Sequence, residues 1–150
     1  MADLVDPIPL HHMLGLQYRA PEPGVGHAEV RMPIAPEALG FTGSLHGGAI
    51  ATMVDLACAL AAVGISGFDP ARETMVTSDM HVRYLGRPRT DSVIAKADVV
   101  KRGRQLIVVT CDVVDDDEHL VAHADFSMMI VALRTPMDGS QPVVPGAPEL

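Results

Sequence analysis

The chain has 150 residues, 48% hydrophobic and 20% charged, a balance that suits one globular domain and is too apolar for a disordered chain. Nineteen Asp and Glu against 11 Lys and Arg give a net charge of -8, the wrong sign for a phosphate-backbone partner. Aromatic residues supply 3%, with no Trp, which leaves few platforms for stacking bases or sugars and predicts an aliphatic core filled in by nine Met.

Residues 1–15 show no basic stretch leading into an apolar run, so they read as an irregular or short helical lead-in and not as a secretory signal. Residues 16–20 and 25–33 (VGHAEVRMP) read as strands around the turn Pro21-Glu22-Pro23-Gly24. Residues 35–48 (APEALGFTGSLHGG) form a loop of small residues. Residues 49–67 (AIATMVDLACALAAVGISG) predict a helix rich in Ala and Leu that ends near Gly64 and Gly67. That helix is apolar on nearly every face and belongs inside something. Its alanine content and Asp55 argue against a membrane span.

After Pro70 the texture changes to strands. TMVTSDMHVRYL places Val76, Ser78, Met80, Val82 and Tyr84 on one face. SVIAKADVV alternates Val93, Ala95, Ala97 and Val99, and LIVVTCDVV alternates Ile107, Val109, Cys111 and Val113. LVAHADFSMMIV alternates Leu120, Ala122, Ala124, Phe126, Met128 and Ile130. Short turns separate these strands, and short connections favour antiparallel pairing. The order predicts an α+β domain over residues 1–133, a curved antiparallel sheet wrapped around one long central helix, with a flexible Pro- and Gly-rich tail over 134–150. The sheet's outer face and edges are left for self-association. Cys58 and Cys111 sit in apolar segments and read as reduced core residues of a cytoplasmic protein.

The chemistry concentrates between Gly40 and Asp55. Gly47 and Gly48, just ahead of the helix, let a ligand approach the backbone closely. The first amides of a helix have no internal acceptor and sit at the positive end of the dipole, so an oxyanion there meets aligned donors. Asp55 lies seven residues after Gly48, two turns on and back on nearly the same side, and is the only charge between His46 and Gly67. Asp is a poor helix former, so a partner or a function must hold it there.

LHGGAIATMVD, TSDMHVRYLGRP and VVKRGRQL together resemble the hotdog-fold acyl-CoA thioesterases of the PaaI-like (phenylacetate-pathway) type, over roughly residues 10 to 132. The resemblance implies Asp55 as general base or nucleophile against a thioester and the Gly47 amide as the group that polarises its carbonyl. It implies that His46 orients this turn, and that Thr77 positions water or the carboxylate from across a dimer interface. In that family an Asn commonly stands six residues before the His. Here Gly40 occupies that place, and with no Asn anywhere in the chain, Thr42 or Ser44 is the remaining candidate to hold a water. Gly48 completes the substrate cradle. The implied assembly is a homodimer or a dimer of dimers, with coenzyme A entering only as part of the substrate, and no metal, nucleic acid or membrane partner.

Between Arg83 and Arg104 lie seven of the 11 basic residues and only two acids, Asp91 and Asp98. Such a segment serves either as a rim for coenzyme A phosphates, with Arg102 and Arg104 as the preferred contacts, or as a solvated strand face. His119 and His123, four apart on a strand, stand about 13 Å apart and cannot share a zinc. Asp115-Asp116-Asp117-Glu118 reads as a solvated hairpin tip. Two other readings of the scaffold are a non-catalytic acyl-CoA-binding module and a hydratase. The second is the weaker, because the one Asp with a His five positions on, Asp6 before His11, lies in the lead-in and not in the central helix.

Overall fold

A computed structural model describes residues 8–134 of the chain. The first seven residues of the lead-in, and the expected tail beyond Arg134, lie outside the described residues. In chain order the elements are α1 (Pro9–Met13), β1 (Gln17–Tyr18), β2 (His27–Pro33), a single 3-10 turn (Pro36–Ala38), α2 (Gly47–Ser66), β3 (Glu73–Tyr84), β4 (Ser92–Arg102), β5 (Leu106–Asp115) and β6 (Leu120–Ala132). The six strands form one antiparallel sheet in the order β1-β2-β4-β5-β6-β3. Helix α2 touches every strand from β2 to β6. Strands about 4.8 Å apart cannot all reach a helix about 10 Å wide unless the sheet curls around it. This is the hotdog fold: one long helix inside a half-barrel.

The core forms where α2 meets the concave face. Met53, Val54, Ala57, Cys58 and Ala61 have no exposed surface, nor do Val30, Met32, Val93, Ala95, Ala97, Cys111 and Val113 opposite them. Small residues at 57, 61, 95 and 97 let the helix backbone sit close to the sheet, and Phe126, Met32 and Met53 fill what remains. The apolarity of α2 on all sides, which suits a membrane span by length and composition alone, is used here for a core. The helix begins at Gly47, two residues before the predicted start, because His46 caps it, and it ends in Gly67 at φ +63°.

Sequence order and sheet order agree for β4, β5 and β6, which pair as consecutive hairpins. They part at β3. It pairs with β6 at the sheet edge, and residues 85–91 carry the chain across to β4, between β2 and β5.

Two bulges overturn the expected faces. In β3 the register shifts between Thr77 and Asp79, so Ser78 is an extra residue. Met80, Val82 and Tyr84 keep the inward face, but beyond the bulge Thr77 and Met75 take it over, while Val76 and Ser78 turn out. A second shift, between Val113 and Val114 of β5, buries Val121 and leaves Leu120 exposed.

The acidic hairpin tip is also corrected, because Asp115 is fully buried. Its Oδ2 accepts from the Arg89 amide at 2.8 Å, and its Oδ1 accepts from the amides of Asp117 and His119 at 3.0 Å each. Burial alone would raise its pKa, but these three amides outweigh that and hold the carboxyl below the ordinary aspartate value. Asp116 is held low by the Arg31 guanidinium and by Ser92. A depressed carboxylate stabilises the fold above its unfolded value, 3.8, and the stabilisation is lost as the pH falls through the folded value. The melting temperature is therefore expected to drop steeply below pH 3.8. Asp115→Asn, with one acceptor oxygen for three donors, should melt lower at neutral pH and show a shallower acid limb. A mutant curve parallel to wild type across that range would remove Asp115 from the account.

Candidate active site

The N-terminus of α2 leaves one donor open. A helix start has four amides without intrahelical acceptors. The His46 amide donates to the Ala38 carbonyl at 2.8 Å. That of Gly48 donates to the His46 Nδ1 at 2.8 Å, and that of Ala49 to the His46 carbonyl at 3.0 Å. Only the Gly47 N–H has no acceptor among the described residues. The carbonyl of the same peptide, on His46, receives both Ala49 and Ile50, which polarises the peptide and strengthens its N–H as a donor.

The glycines are required by contact. A Cβ on Gly48 would stand 2.9 Å from His46 Nδ1, so the imidazole folds back over the helix end only because that position is bare. A Cβ on Gly47 would stand 3.3 Å from the Tyr84 ring, whose Oη donates to the Gly47 carbonyl at 3.0 Å. Gly48→Ala should leave the melting temperature almost unchanged, since the helix-propensity gain and the cap loss are each about 1 kcal/mol. It should still lower turnover at least about tenfold by displacing His46 and the amides it aligns. Thermal melting and steady-state kinetics on one preparation check both halves.

Asp55 is half-buried on α2. Its Oδ1 accepts from Thr77 Oγ1 at 3.1 Å, and its Oδ2 has no partner among the described residues. Thr77 was expected to reach the acid from a second subunit, but here the same chain supplies it. The bulge at Ser78 is the reason, since without the extra residue Thr77 would face away from the helix. Helix α1 also contributes to this field. Burial lowers the pKa of His11, the Asp55 charge opposes that effect, and His12 adds to it.

The loop ahead of α2 places the other candidates. Gly40 donates to the Ser44 carbonyl at 2.7 Å, and the Thr42 and Ser44 hydroxyls bond each other at 2.6 Å. A Cβ on Gly40 would meet His46 Cδ2 at 3.5 Å, ordinary contact, so the backbone here does not itself demand glycine. Phe41, at the loop tip, is fully exposed.

Arg102 and Arg104 stand apart from this cluster. The Arg102 guanidinium bonds the Ser66 carbonyl, the last of α2, about 28 Å along the axis from Gly47. It serves as a cap for the helix C-terminus. The basic segment is not one patch. Arg83, Arg87 and Arg89 lie before β4, and Lys101, Arg102 and Arg104 at its far end, about 33 Å away along an extended strand. Two of its charges are paired, Arg83 with Asp125 at 3.6 Å and Lys96 with Glu118 at 2.6 Å.

Tyr84 is the site residue that the sequence pattern assigned only to a strand face; its place on the same face as Met80 and Val82 was the available signal. The cysteines offer no rival chemistry. Contact with Cys111, followed by burial, pushes the Cys58 thiol far above its usual range, which keeps it neutral and inert.

The thioesterase superfamily profile matches residues 42–122, from the loop before α2 into β6. No curated protein matches this chain. Among solved structures, a conserved protein from Pseudomonas aeruginosa is 30% identical, with 81% of this chain and 92% of that one covered and a TM-score of 0.71. A thioesterase family protein from Silicibacter pomeroyi is 26% identical, with 88% and 96% covered and a TM-score of 0.75. A thioesterase from Haemophilus influenzae, 22% identical over 89% of each chain with a TM-score of 0.75, shares the fold. The matched segment takes in α2 with its glycine turn, Asp55, Thr77 and Tyr84, and the chain belongs to the thioesterase superfamily.

Proposed function

We propose that this protein is a cytoplasmic acyl-CoA thioesterase of the PaaI-like type, acting on a small or medium acyl or aryl-acetyl thioester. The observation that carries the reading is that the same helix holds an amide, Gly47 N–H, and a carboxylate oxygen, Asp55 Oδ2, neither of which has a partner among the described residues. The thioester carbonyl oxygen sits on the Gly47 amide, which binds it more strongly as negative charge develops. Asp55 acts on the carbonyl carbon, either directly or by deprotonating a water, with Thr77 holding its other oxygen. The tetrahedral intermediate collapses by expelling coenzyme A as a thiolate, which takes up the proton that Asp55 removed from water. On the direct route the mixed anhydride left on Asp55 is then hydrolysed by water, releasing the acid and restoring the carboxylate.

Helix geometry supports a dimer. Gly47 and Asp55 are eight residues apart on α2, about 12 Å of axial rise, whereas one reacting carbonyl needs both groups within about 3–3.5 Å of adjacent atoms. Two protomers related by a twofold axis meet that demand, with Gly47 of one facing Asp55 of the other. Strand β3 is a 12-residue edge with one side unpaired, and it carries both Thr77 and Tyr84. Pairing of two such edges would draw both half-sites to the boundary. Arg104 remains the exposed candidate for the coenzyme A phosphates, since Arg102 is engaged with α2.

The test is steady-state hydrolysis of an acyl-CoA panel, aliphatic and aromatic, followed by released thiol. Turnover of at least one member is expected. Tight acyl-CoA binding without thiol release from any member would instead make the protein a carrier or sensor.

A further inference from the structure

We propose that Tyr84 is a positioning residue for the carbonyl-binding amide, and that with His46 it clamps the Gly47–Gly48 peptide from both ends. The inference rests on the thioesterase reading above and deepens it. The clamp is visible bond by bond. The N–H of that peptide, on Gly48, donates to His46 Nδ1 at 2.8 Å, and its carbonyl, on Gly47, accepts from Tyr84 Oη at 3.0 Å. Because an amide can only donate, the His46 ring carries its hydrogen on Nε2. The Tyr84 ring then lies flush over Gly47, where an added Cβ would be 3.3 Å from Cζ.

The clamp is needed because a peptide between two glycines is the easiest one to turn over, with no Cβ on either side to oppose the change. Turning it would swing the Gly47 carbonyl out beside the Gly47 N–H. That would place an acceptor next to the one donor open to the substrate, a polarity that repels a developing oxyanion. Tyr84 does not touch the reacting atoms; it keeps the wrong dipole out. The same strand supplies the hydroxyl of Thr77 to Asp55, so β3 orients both halves of the machinery.

The test is Tyr84→Phe, which keeps the ring over Gly47 and removes the hydroxyl alone. Its first readout needs no substrate: the amide resonances of Gly47 and Gly48 in a nitrogen-15 correlation spectrum of the full chain. The Gly48 signal should shift and broaden while signals from the β4–β6 core stay fixed. The second readout is kinetic: kcat falling about tenfold, the equivalent of one neutral hydrogen bond, with KM nearly unchanged. His46→Ala should lower kcat as well, and the double variant by less than the product of the two effects, because both bonds hold one peptide. An unchanged Gly48 resonance in Tyr84→Phe overturns the clamp whatever the activity. An altered resonance with wild-type kcat overturns its role in catalysis. Wild-type protein that hydrolyses no thioester would defeat the thioesterase reading, with the clamp itself still decided by the spectrum.

Discussion

Asp55→Asn is expected to remove at least about a hundredfold of kcat, the scale of a general base or more, while folding and assembly stay intact. The substitution keeps the shape of the side chain and an oxygen able to accept from Thr77 Oγ1, so the one bond Asp55 makes in the resting protein survives. The carboxylate is only half-buried, so removing its charge leaves no stranded partner in the core. What disappears is basicity and nucleophilicity. Thiol release from the best substrate of the panel, together with the melting temperature and elution volume, separates chemistry from structure. A variant that turns over within a few-fold of wild type would place the reaction elsewhere.

Gly64→Ala is expected to cost about 1–2 kcal/mol of stability and lower the melting temperature by about 2–8 °C. Gly64 lies in the last turns of α2, and its carbonyl accepts from the Gly24 amide at 2.8 Å. An added Cβ would stand 2.2 Å from the Val25 carbonyl oxygen and 3.0 Å from that of Glu22. Both atoms are backbone, so relief requires moving the loop between β1 and β2 and not merely a side chain. Alanine brings a helix-propensity gain of about 0.5–1 kcal/mol. Overpacking a closed contact costs about 1–3 kcal/mol, and that term wins. Urea midpoints of the two proteins would decide it; equal midpoints would mean that the loop yields freely.

The order of strands and helix, the burial of the helix, and the alternation of Val93, Ala95 and Ala97 or of Ile107, Val109 and Cys111 were all legible along the chain, because periodicity is a local property that each segment carries by itself. So were the turn His46-Gly47-Gly48 and the isolated acid Asp55, because caps and helix breakers act over a few residues. The bulge at Ser78 was not legible. Nothing in TSDM marks an extra residue, and strict alternation points Thr77 away from the helix that it in fact faces. The fate of Asp115 was equally hidden, since an acidic run reads as solvated until amides from residues 89, 117 and 119 converge on it.

Charge and pairing followed the same division. Counting basic residues from 83 to 104 showed a local excess, but β4 runs through the middle of that segment and sends its two ends to opposite limits of the sheet. Which residues could be chemical was written in the sequence, through residue type and short spacing. Which groups meet was decided in three dimensions: Thr77 with Asp55 across 22 positions, and Tyr84 with Gly47 across 37. Those meetings depend on strand register and on the curl of a sheet around its helix, both of which are set by long-range packing and neither by any one segment.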